Sequence, residues 1–311
     1  MRVIVTGALG HIGSKLIREL PELLEASEII LIDNLKTQRY TSLFNLPTSG
    51  SYKFYDLDLL NDDLSDIFKS ADYVLHLAAL TDAASSFNNP DEVEGANLNS
   101  TKIIAQLCIE HSIKLILISS TSVYGTQKEL VDEDCGLEDL NPQSPYANTK
   151  LKEEALVRNY VEKQGLEACI YRFGTIFGTS PGIRFHTAVN KFCYQAALSK
   201  PITVWKTALD QKRPYLDIED AINAITFAIK ADLFDGQIYN IVTANYSVRA
   251  ITDEIKKTIP NLEIELVDSE IMNQLSYNVL AEKIKNQGFV FSGSIERGIS
   301  DTLGLLQSIK N

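Results

Sequence analysis

Arg2-Val3-Ile4-Val5-Thr6-Gly7-Ala8-Leu9-Gly10-His11-Ile12-Gly13 is a short apolar strand that runs straight into three glycines spaced three apart. A strand, a glycine turn and a helix in that order leave bare backbone N–H groups at a helix N-terminus, where a diphosphate binds. The same arrangement sets a dinucleotide at the edge of a parallel sheet and ties the chain to redox chemistry. A second apolar strand, Glu28-Ile29-Ile30-Leu31-Ile32, ends at Asp33, 20 residues beyond Gly13. That is the place for a carboxylate that takes hydrogen bonds from an adenosine ribose. Glycines after a strand also make ordinary tight turns, and Asp33 is what turns the balance toward a cofactor.

From this start, apolar strand-like runs alternate with helical stretches. Residues 3–5, 29–32, 52–55, 73–77, 115–118 and 168–171 read as strands, and 12–24, 64–68, 92–111 and 146–164 as helices. Near-continuous apolar strands separated by helices predict a parallel sheet covered on both faces, a doubly wound α/β domain. After residue 174 the pattern changes at a turn-rich loop, Gly178-Thr179-Ser180-Pro181-Gly182. A helix at 187–198, a strand at 202–205 and a polar loop to Arg213 follow. The helix at 218–230 and strand at 238–242 can return to the main sheet, while 248–259, 263–267, 278–285 and 294–307 read as a small α+β lobe. The expected division is a nucleotide-binding domain over 1–174, rejoined by 216–245, and a substrate lobe made of 175–215 and 246–311.

The 311 residues are 45% hydrophobic and 23% charged, an ordinary globular balance with enough chain for two lobes around a cleft. A net charge of −12 argues against nucleic acid or an acidic membrane as partner, because both demand an excess of Lys and Arg. An anionic substrate must then be held by local groups. Cys108, Cys135, Cys169 and Cys193 are scattered, without metal-type pairing, and read as reduced thiols of a cytoplasmic protein with no metal site. With a strand starting at Arg2, no targeting peptide is expected, and no apolar run approaches the ~20 residues that span a bilayer.

Three clusters carry chemistry. In Pro145-Tyr146-Ala147-Asn148-Thr149-Lys150 a Tyr and a Lys stand at i and i+4, on one face of a helix. A phenol of pKa ≈ 10 is a poor base, but a cation ~4 Å away at an effective dielectric of ~20 contributes ~4 kcal/mol, roughly three pKa units. Lys150, helped by a positively charged nicotinamide, is thereby expected to bring Tyr146 toward neutrality, where general base catalysis works best. On its own, such a pair is as readily a packing tyrosine and a solvated lysine. The second cluster, Ser119-Ser120-Thr121-Ser122-Val123-Tyr124-Gly125, puts hydroxyls at the C-terminal end of a strand, the edge where open α/β sheets bind ligands. Strand-end serines also form turns. In the third, His76-Leu77-Ala78-Ala79, small residues let a cofactor approach the backbone, and His76 reads as a core residue.

Together these clusters resemble the extended short-chain dehydrogenase/reductases, in particular their NAD-dependent nucleotide-sugar epimerase/dehydratase branch. The matching pieces run in family order: Thr6-Gly7-x-x-Gly10-x-x-Gly13, Asp33-Asn34-Leu35, Asp58-Leu59, His76-Leu77-Ala78-Ala79, Asn97-Leu98-Asn99-Ser100-Thr101, Ser120 with Val123-Tyr124-Gly125, Tyr146-x-x-x-Lys150, Arg172-Phe173-Gly174-Thr175 and Arg213-Pro214-Tyr215. The resemblance covers essentially the whole chain and is most specific before residue 180. It implies a Rossmann-type sheet with NAD as cofactor. Gly7, Gly10 and Gly13, with His11 and Ile12, would admit the pyrophosphate. Asp33 and Asn34 would hold the adenosine ribose, and Asp58 and Leu59 flank the adenine. Leu77, Ala78 and Ala79 would line the cofactor, and Asn97 would order the site from its helix. Lys150 would bind the nicotinamide ribose, beside Tyr146 and Ser120 as the catalytic hydroxyls. Asp33 favours NAD over NADP because a 2′-phosphate would meet its carboxylate, although Lys36 and Arg39 lie near in sequence.

The departures narrow the chemistry. Sugar 4,6-dehydratases of this family carry an Asp-Glu pair directly before Val-Tyr-Gly, and nucleotide-sugar decarboxylases a glutamate at the second place; here stand Thr121 and Ser122. Hydride and proton transfer without elimination remains, with epimerisation at C4 of a nucleotide-diphosphate sugar as first reading. Thr81, Thr121, Thr175, Arg184, Asn190 and Arg213 are the expected substrate contacts. Gly174-Thr175 stands where epimerases often have an aromatic residue and an asparagine, and is expected to leave extra space. Alternatives are a nucleotide-sugar dehydrogenase or ketoreductase, a 4,6-dehydratase, and a non-catalytic dinucleotide-binding scaffold. The helices at 92–111 and 146–164 resemble those that pair subunits in this family, which implies a homodimer.

Overall fold

Val3, Ile4 and Val5 are all without solvent exposure, as are Ile29, Ile30 and Leu31 on the next strand. Consecutive residues buried on both sides are what a strand between two helical layers requires. The structure, a computed structural model, describes residues 1–25, 28–83, 85–125, 128–268 and 276–307. In chain order β1 (Arg2–Thr6), α1 (His11–Leu23), β2 (Glu28–Asp33), β3 (Tyr52–Asp56), α2 (Ser65–Phe68), β4 (Tyr73–His76), α3 (Pro90–His111), β5 (Lys114–Ser120), β6 (Leu130–Val131), α4 (Pro145–Gln164) and β7 (Ala168–Phe173) come first. They are followed by β8 (Thr175–Phe177), α5 (Ala188–Ala197), β9 (Ile202–Trp205), β10 (Lys212–Asp217), α6 (Ile218–Lys230) and β11 (Asp235–Ile241). The chain then adds β12 (Ala244–Ser247), α7 (Val248–Thr258), β13 (Ile264–Val267), β14 (Asn278–Val279), α8 (Glu282–Asn286) and α9 (Ile295–Leu306).

Seven strands form one parallel sheet in the order β11-β7-β5-β4-β1-β2-β3. Alternate residues divide between its faces, as the two-residue period of a strand dictates. Val3, Val5, Ile29, Leu31, Leu75 and Ile116 pack with Leu16, Ile17 and Leu20 of α1 and Ile222 and Ile225 of α6. Ile4, Ile30, Val74, Leu115 and Leu117 pack with Ile104 and Cys108 of α3 and Val157 and Tyr160 of α4. Truncating one such residue, Ile30→Ala for instance, costs ~2–5 kcal/mol. Strand order reverses between β1 and β4, so the connections leave in opposite directions and a crevice opens at the C-terminal strand ends.

The second apolar centre gathers Phe177, Val189, Phe192, Ile202, Tyr215, Ile251 and Ile299. It lies under a three-stranded sheet, β12-β10-β8, and a two-stranded one, β13-β9. Two stretches differ from the sequence reading. The polar loop expected up to Arg213 already contains the start of β10, which pairs antiparallel with β12 and parallel with β8. Residues 278–285 divide between the two-residue β14 and the start of α8. β14 is only two residues long, and both strands owe their pairing to partners distant in sequence, so local pattern does not reveal them.

Candidate active site

A cavity of about 920 Å³ opens at the C-terminal ends of the main sheet. Its floor is the glycine turn. Gly7 has φ +64°, and a Cβ there would lie 2.7 Å from the backbone of Ala78. A Cβ on Gly13 would lie 2.5 Å from the Gly7 carbonyl oxygen. These glycines let β1, β4 and α1 meet with nothing but backbone between them and the cavity. Gly10, the N-cap of α1, offers no side-chain cap, so the first-turn N–H groups stay available.

Asp33 closes the far end of this turn. Its Oδ2 accepts from the Leu9 N–H and its Oδ1 from the Leu35 N–H, both at 3.0 Å, which fixes the carboxylate at the cavity wall. The Asn34 amide donates to Asp58 at 3.1 Å and joins the two loops that would enclose an adenosine. Across the turn, His11 Nδ1 lies 2.7 Å from Ser180 Oγ of the second lobe. His11 lines the cavity, and its Nε2 is buried without a partner among the described residues. With the serine hydroxyl donating to Nδ1, Nε2 carries the proton and suits a phosphate oxygen. Burial, reinforced by nearby Arg39 and Arg184, holds the His11 pKa down at about 3, so this ring donates as a neutral group. A dinucleotide diphosphate therefore fits the residues present.

Local sequence sets the other wall. Ser144 caps α4 by accepting from the Ala147 N–H at 3.2 Å, and Pro145 occupies the first turn, so the helix begins just before Tyr146. At the end of β5, Ser120 Oγ accepts from both the N–H (3.1 Å) and the hydroxyl (2.9 Å) of Ser122. Its own proton is left to hydrogen-bond the Tyr146 phenol. The Lys150 ammonium lies 5.9 Å from the Tyr146 ring centre. It donates to the Ile118 carbonyl and to Glu153 Oε2, each at 2.9 Å. Among the chain's own groups, without a nicotinamide charge, the net effect on the Tyr146 phenol is upward. Burial raises its pKa, and the lowering by Lys150 is opposed by Glu153. This carboxylate, which sequence reading missed, is fully buried.

Gly7, Gly10, His11, Ile12, Gly13, Asp33, Asn34, Asp58, Leu59, Leu77, Ala78, Ala79, Asn97, Thr81, Ser120, Tyr146, Lys150, Thr175 and Arg184 all line this one cavity. Asn97 acts through the backbone, clasping both the N–H (2.8 Å) and the carbonyl (3.0 Å) of Leu80. Arg184 donates to the Thr81 hydroxyl and so spans the two lobes. Three expected contacts are not brought in. Thr121 is buried, donating to the Phe173 carbonyl at 3.2 Å. Asn190 is fully buried and ties Gly178 to the Arg184 carbonyl, so it supports the loop rather than facing the cavity. Arg213 stands on β10 with its guanidinium 5.6 Å from the Tyr277 ring, outside the cavity lining. Gly174 lines the cavity, and a Cβ there would lie 3.1 Å from the Tyr215 backbone. Ser122, Arg39 and His186 line the cavity beyond those expected. Ser122 belongs to the hydroxyl run, His186 to the polar stretch before α5, and Arg39 to the segment just after Asp33.

Known proteins share this plan. An uncharacterized UDP-glucose epimerase of Bacillus subtilis (strain 168), YtcB, is 31% identical over 249 residues, 78% of this chain and 76% of its own. The UDP-glucuronate 4-epimerase of Thermodesulfobacterium geofontis (strain OPF15) is 30% identical over 236 residues, 73% of this chain and 71% of its own. The crystal structure of UDP-glucuronic acid 4-epimerase from Bacillus cereus, in complex with UDP-glucuronic acid and NAD, superposes with a TM-score of 0.83 at 26% identity, over 99% of both chains. Proteins named dTDP-D-glucose 4,6-dehydratase match as well. The model of one family spans residues 3–242, from the first strand to the last of the main sheet, and this chain belongs to that family, the NAD dependent epimerase/dehydratase family.

Proposed function

We propose that this protein is an NAD-dependent C4 epimerase of a nucleotide-diphosphate sugar. The observation that carries the reading is the convergence of Ser120, Tyr146 and Lys150 with the glycine turn on one cavity. NAD, held by the glycine turn and Asp33, would supply a reversible hydride acceptor for C4 of the sugar. Tyr146 Oη removes the proton of the sugar 4-hydroxyl and later gives it back. Ser120 Oγ holds that hydroxyl oxygen against the phenol and steadies the 4-keto oxygen. Lys150 orients the nicotinamide ribose and contributes positive charge. Thr81, Thr175 and Arg184 offer hydroxyl and guanidinium donors to the sugar and diphosphate as the keto sugar turns over between them.

Elimination of water needs an acid beside the sugar, and the turn Ser120–Ser122 supplies only hydroxyls there. The cavity carboxylate of the 81–83 segment, Asp82, instead interacts with Arg184 and His186. Incubation with NAD+ and a panel of nucleotide sugars, read by NMR and mass, tests the reading. An inverted C4 at unchanged mass, without net NADH, supports it. Net NADH change points to a dehydrogenase or ketoreductase, and loss of water to a dehydratase.

A homodimer and a cytoplasmic location complete the reading. The long helices α3 and α4 pack side by side, with Ile103, Leu107 and Leu156 only partly covered. A second copy adding its own pair would complete their burial, and light scattering after gel filtration checks the mass. The four cysteines are all unpaired, as in a reducing compartment. No helix among the described residues is long and apolar enough to cross a membrane.

A further inference from the structure

Glu153 sits one turn beyond Lys150 on α4 and has no solvent exposure. Its Oε2 lies 2.9 Å from the Lys150 ammonium and accepts from Thr101 Oγ1 at 3.2 Å. Its Oε1 is buried without a partner among the described residues. The neighbouring Glu154 is already committed, to Arg172 at 2.7 and 2.9 Å and to Ser119 at 2.5 Å. Glu153 is thus the carboxylate that faces Lys150 at ion-pair distance, and no other cation shares it within that distance among the described residues.

We infer that Glu153 is a positioning residue of the proton-transfer site: it anchors the Lys150 ammonium between its own carboxylate and the Ile118 carbonyl, and its charge cancels much of the field that Lys150 places on the Tyr146 phenol. The inference rests on the reading of Tyr146 as the group that moves the proton. A cation with an anion 2.9 Å away acts at a distance as a dipole, and a dipole falls off faster than a charge. The groups facing the phenol are Lys150, Glu153 and the Ser120 hydroxyl, with Arg184 from the second lobe. Those facing the ammonium are Glu153, Tyr146 and Glu154. His76 also abuts this chain, with Nε2 3.3 Å from Thr101 Oγ1 and Nδ1 2.8 Å from Thr6 Oγ1. Burial keeps its pKa at about 3, so it adds hydrogen bonds and no charge at neutral pH.

The test is the titration of Tyr146 in full-length protein saturated with NAD+, followed by NMR of tyrosine labelled at Cζ and assigned by the signal lost in Tyr146→Phe. Glu153→Gln keeps shape and removes charge, so the midpoint should fall by about one to two pH units. The acidic limb of the kcat profile should fall with it, and Glu153→Asp should restore both. An unchanged or raised midpoint in a folded Glu153→Gln protein overturns the inference, even if stability drops. Should that variant not fold, the double variant Lys150→Met/Glu153→Gln decides. Cancellation keeps its midpoint within about half a unit of the wild type, whereas a rise of roughly two units, as expected on losing an uncancelled ammonium, overturns the proposal. The NMR midpoint is read whether or not any sugar is turned over, so its failure is separable from failure of the epimerase reading.

Discussion

Nδ1 of His11 and Oγ of Ser180, 169 residues apart in sequence, are 2.7 Å apart across the two lobes. The same loop is pinned by Gly182, whose N–H donates to Ser14 Oγ at 2.9 Å. A Cβ on Gly182 would stand 2.5 Å from the Leu9 carbonyl oxygen, so the loop rests directly on the glycine turn. The 180–182 loop thus lies against the helix N-terminus that fits a dinucleotide diphosphate. That suits a reaction in which the cofactor that takes the hydride must also return it.

Ser180→Ala should therefore speed NAD release by about five- to tenfold, the worth of one net hydrogen bond. Bound cofactor remaining after desalting, against time, measures it, with the KM for the sugar nucleotide little changed. Equal release rates for the two proteins would mean that the loop does not retain the cofactor.

Tyr146→Phe removes the only atom of this side chain that can carry the proton. kcat should drop by ~10²–10⁴-fold, the usual contribution of a general acid–base group. NAD content should be retained, because the glycine turn and Asp33 are untouched. A variant that keeps more than about a tenth of the activity would assign proton transfer elsewhere.

The parts of the site visible in the sequence are those fixed within one element. Gly7, Gly10 and Gly13 belong to one turn, and Tyr146 and Lys150 to one helical face, so spacing alone places them. Thr121, Asn190 and Arg213 do not line the cavity, and spacing alone does not reveal this because their surroundings depend on partners far along the chain: Phe173, Gly178 and the strand that carries Tyr246. Glu153 carried no signal of its own. On an isolated helix a Lys and a Glu at i and i+3 read as a solvated pair, and only the packing of α3 on α4 buries them. The main sheet was legible because most of its strands, β1, β2, β4, β5 and β7, are near-continuous apolar runs buried on both sides. β6, β8, β12 and β14 were not, because none of them carries more than two consecutive apolar residues.

Acid should destabilise the fold through His76. Its folded pKa, lowered by burial to about 3, lies below the unfolded value near 6.5, so between these values the unfolded chain binds more protons. The stabilising contribution is complete above pH ~6.5 and is lost as pH falls toward 3, by about 1 kcal/mol per pH unit within that window. Urea unfolding at pH 7 and pH 5 should differ by ~2 kcal/mol more for the wild type than for His76→Gln. Parallel pH dependences in the two proteins would remove His76 as the cause.

Asp33 should set the choice of dinucleotide. Both its oxygens are oriented by backbone N–H groups, so the carboxylate cannot swing aside for a 2′-phosphate. Arg39 interacts with it, while Lys36 is occupied with Glu92 at 2.9 Å. Asp33→Asn removes the negative charge and leaves Arg39 to face the ribose. NAD should then bind about tenfold more weakly, the scale of a lost charge-assisted hydrogen bond, and NADP more tightly. Calorimetric titration of both dinucleotides gives the ratio of their Kd values. A ratio that stays at the wild-type value would show that discrimination lies outside Asp33, with the loop that carries Lys36 and Arg39 as the next place to cut.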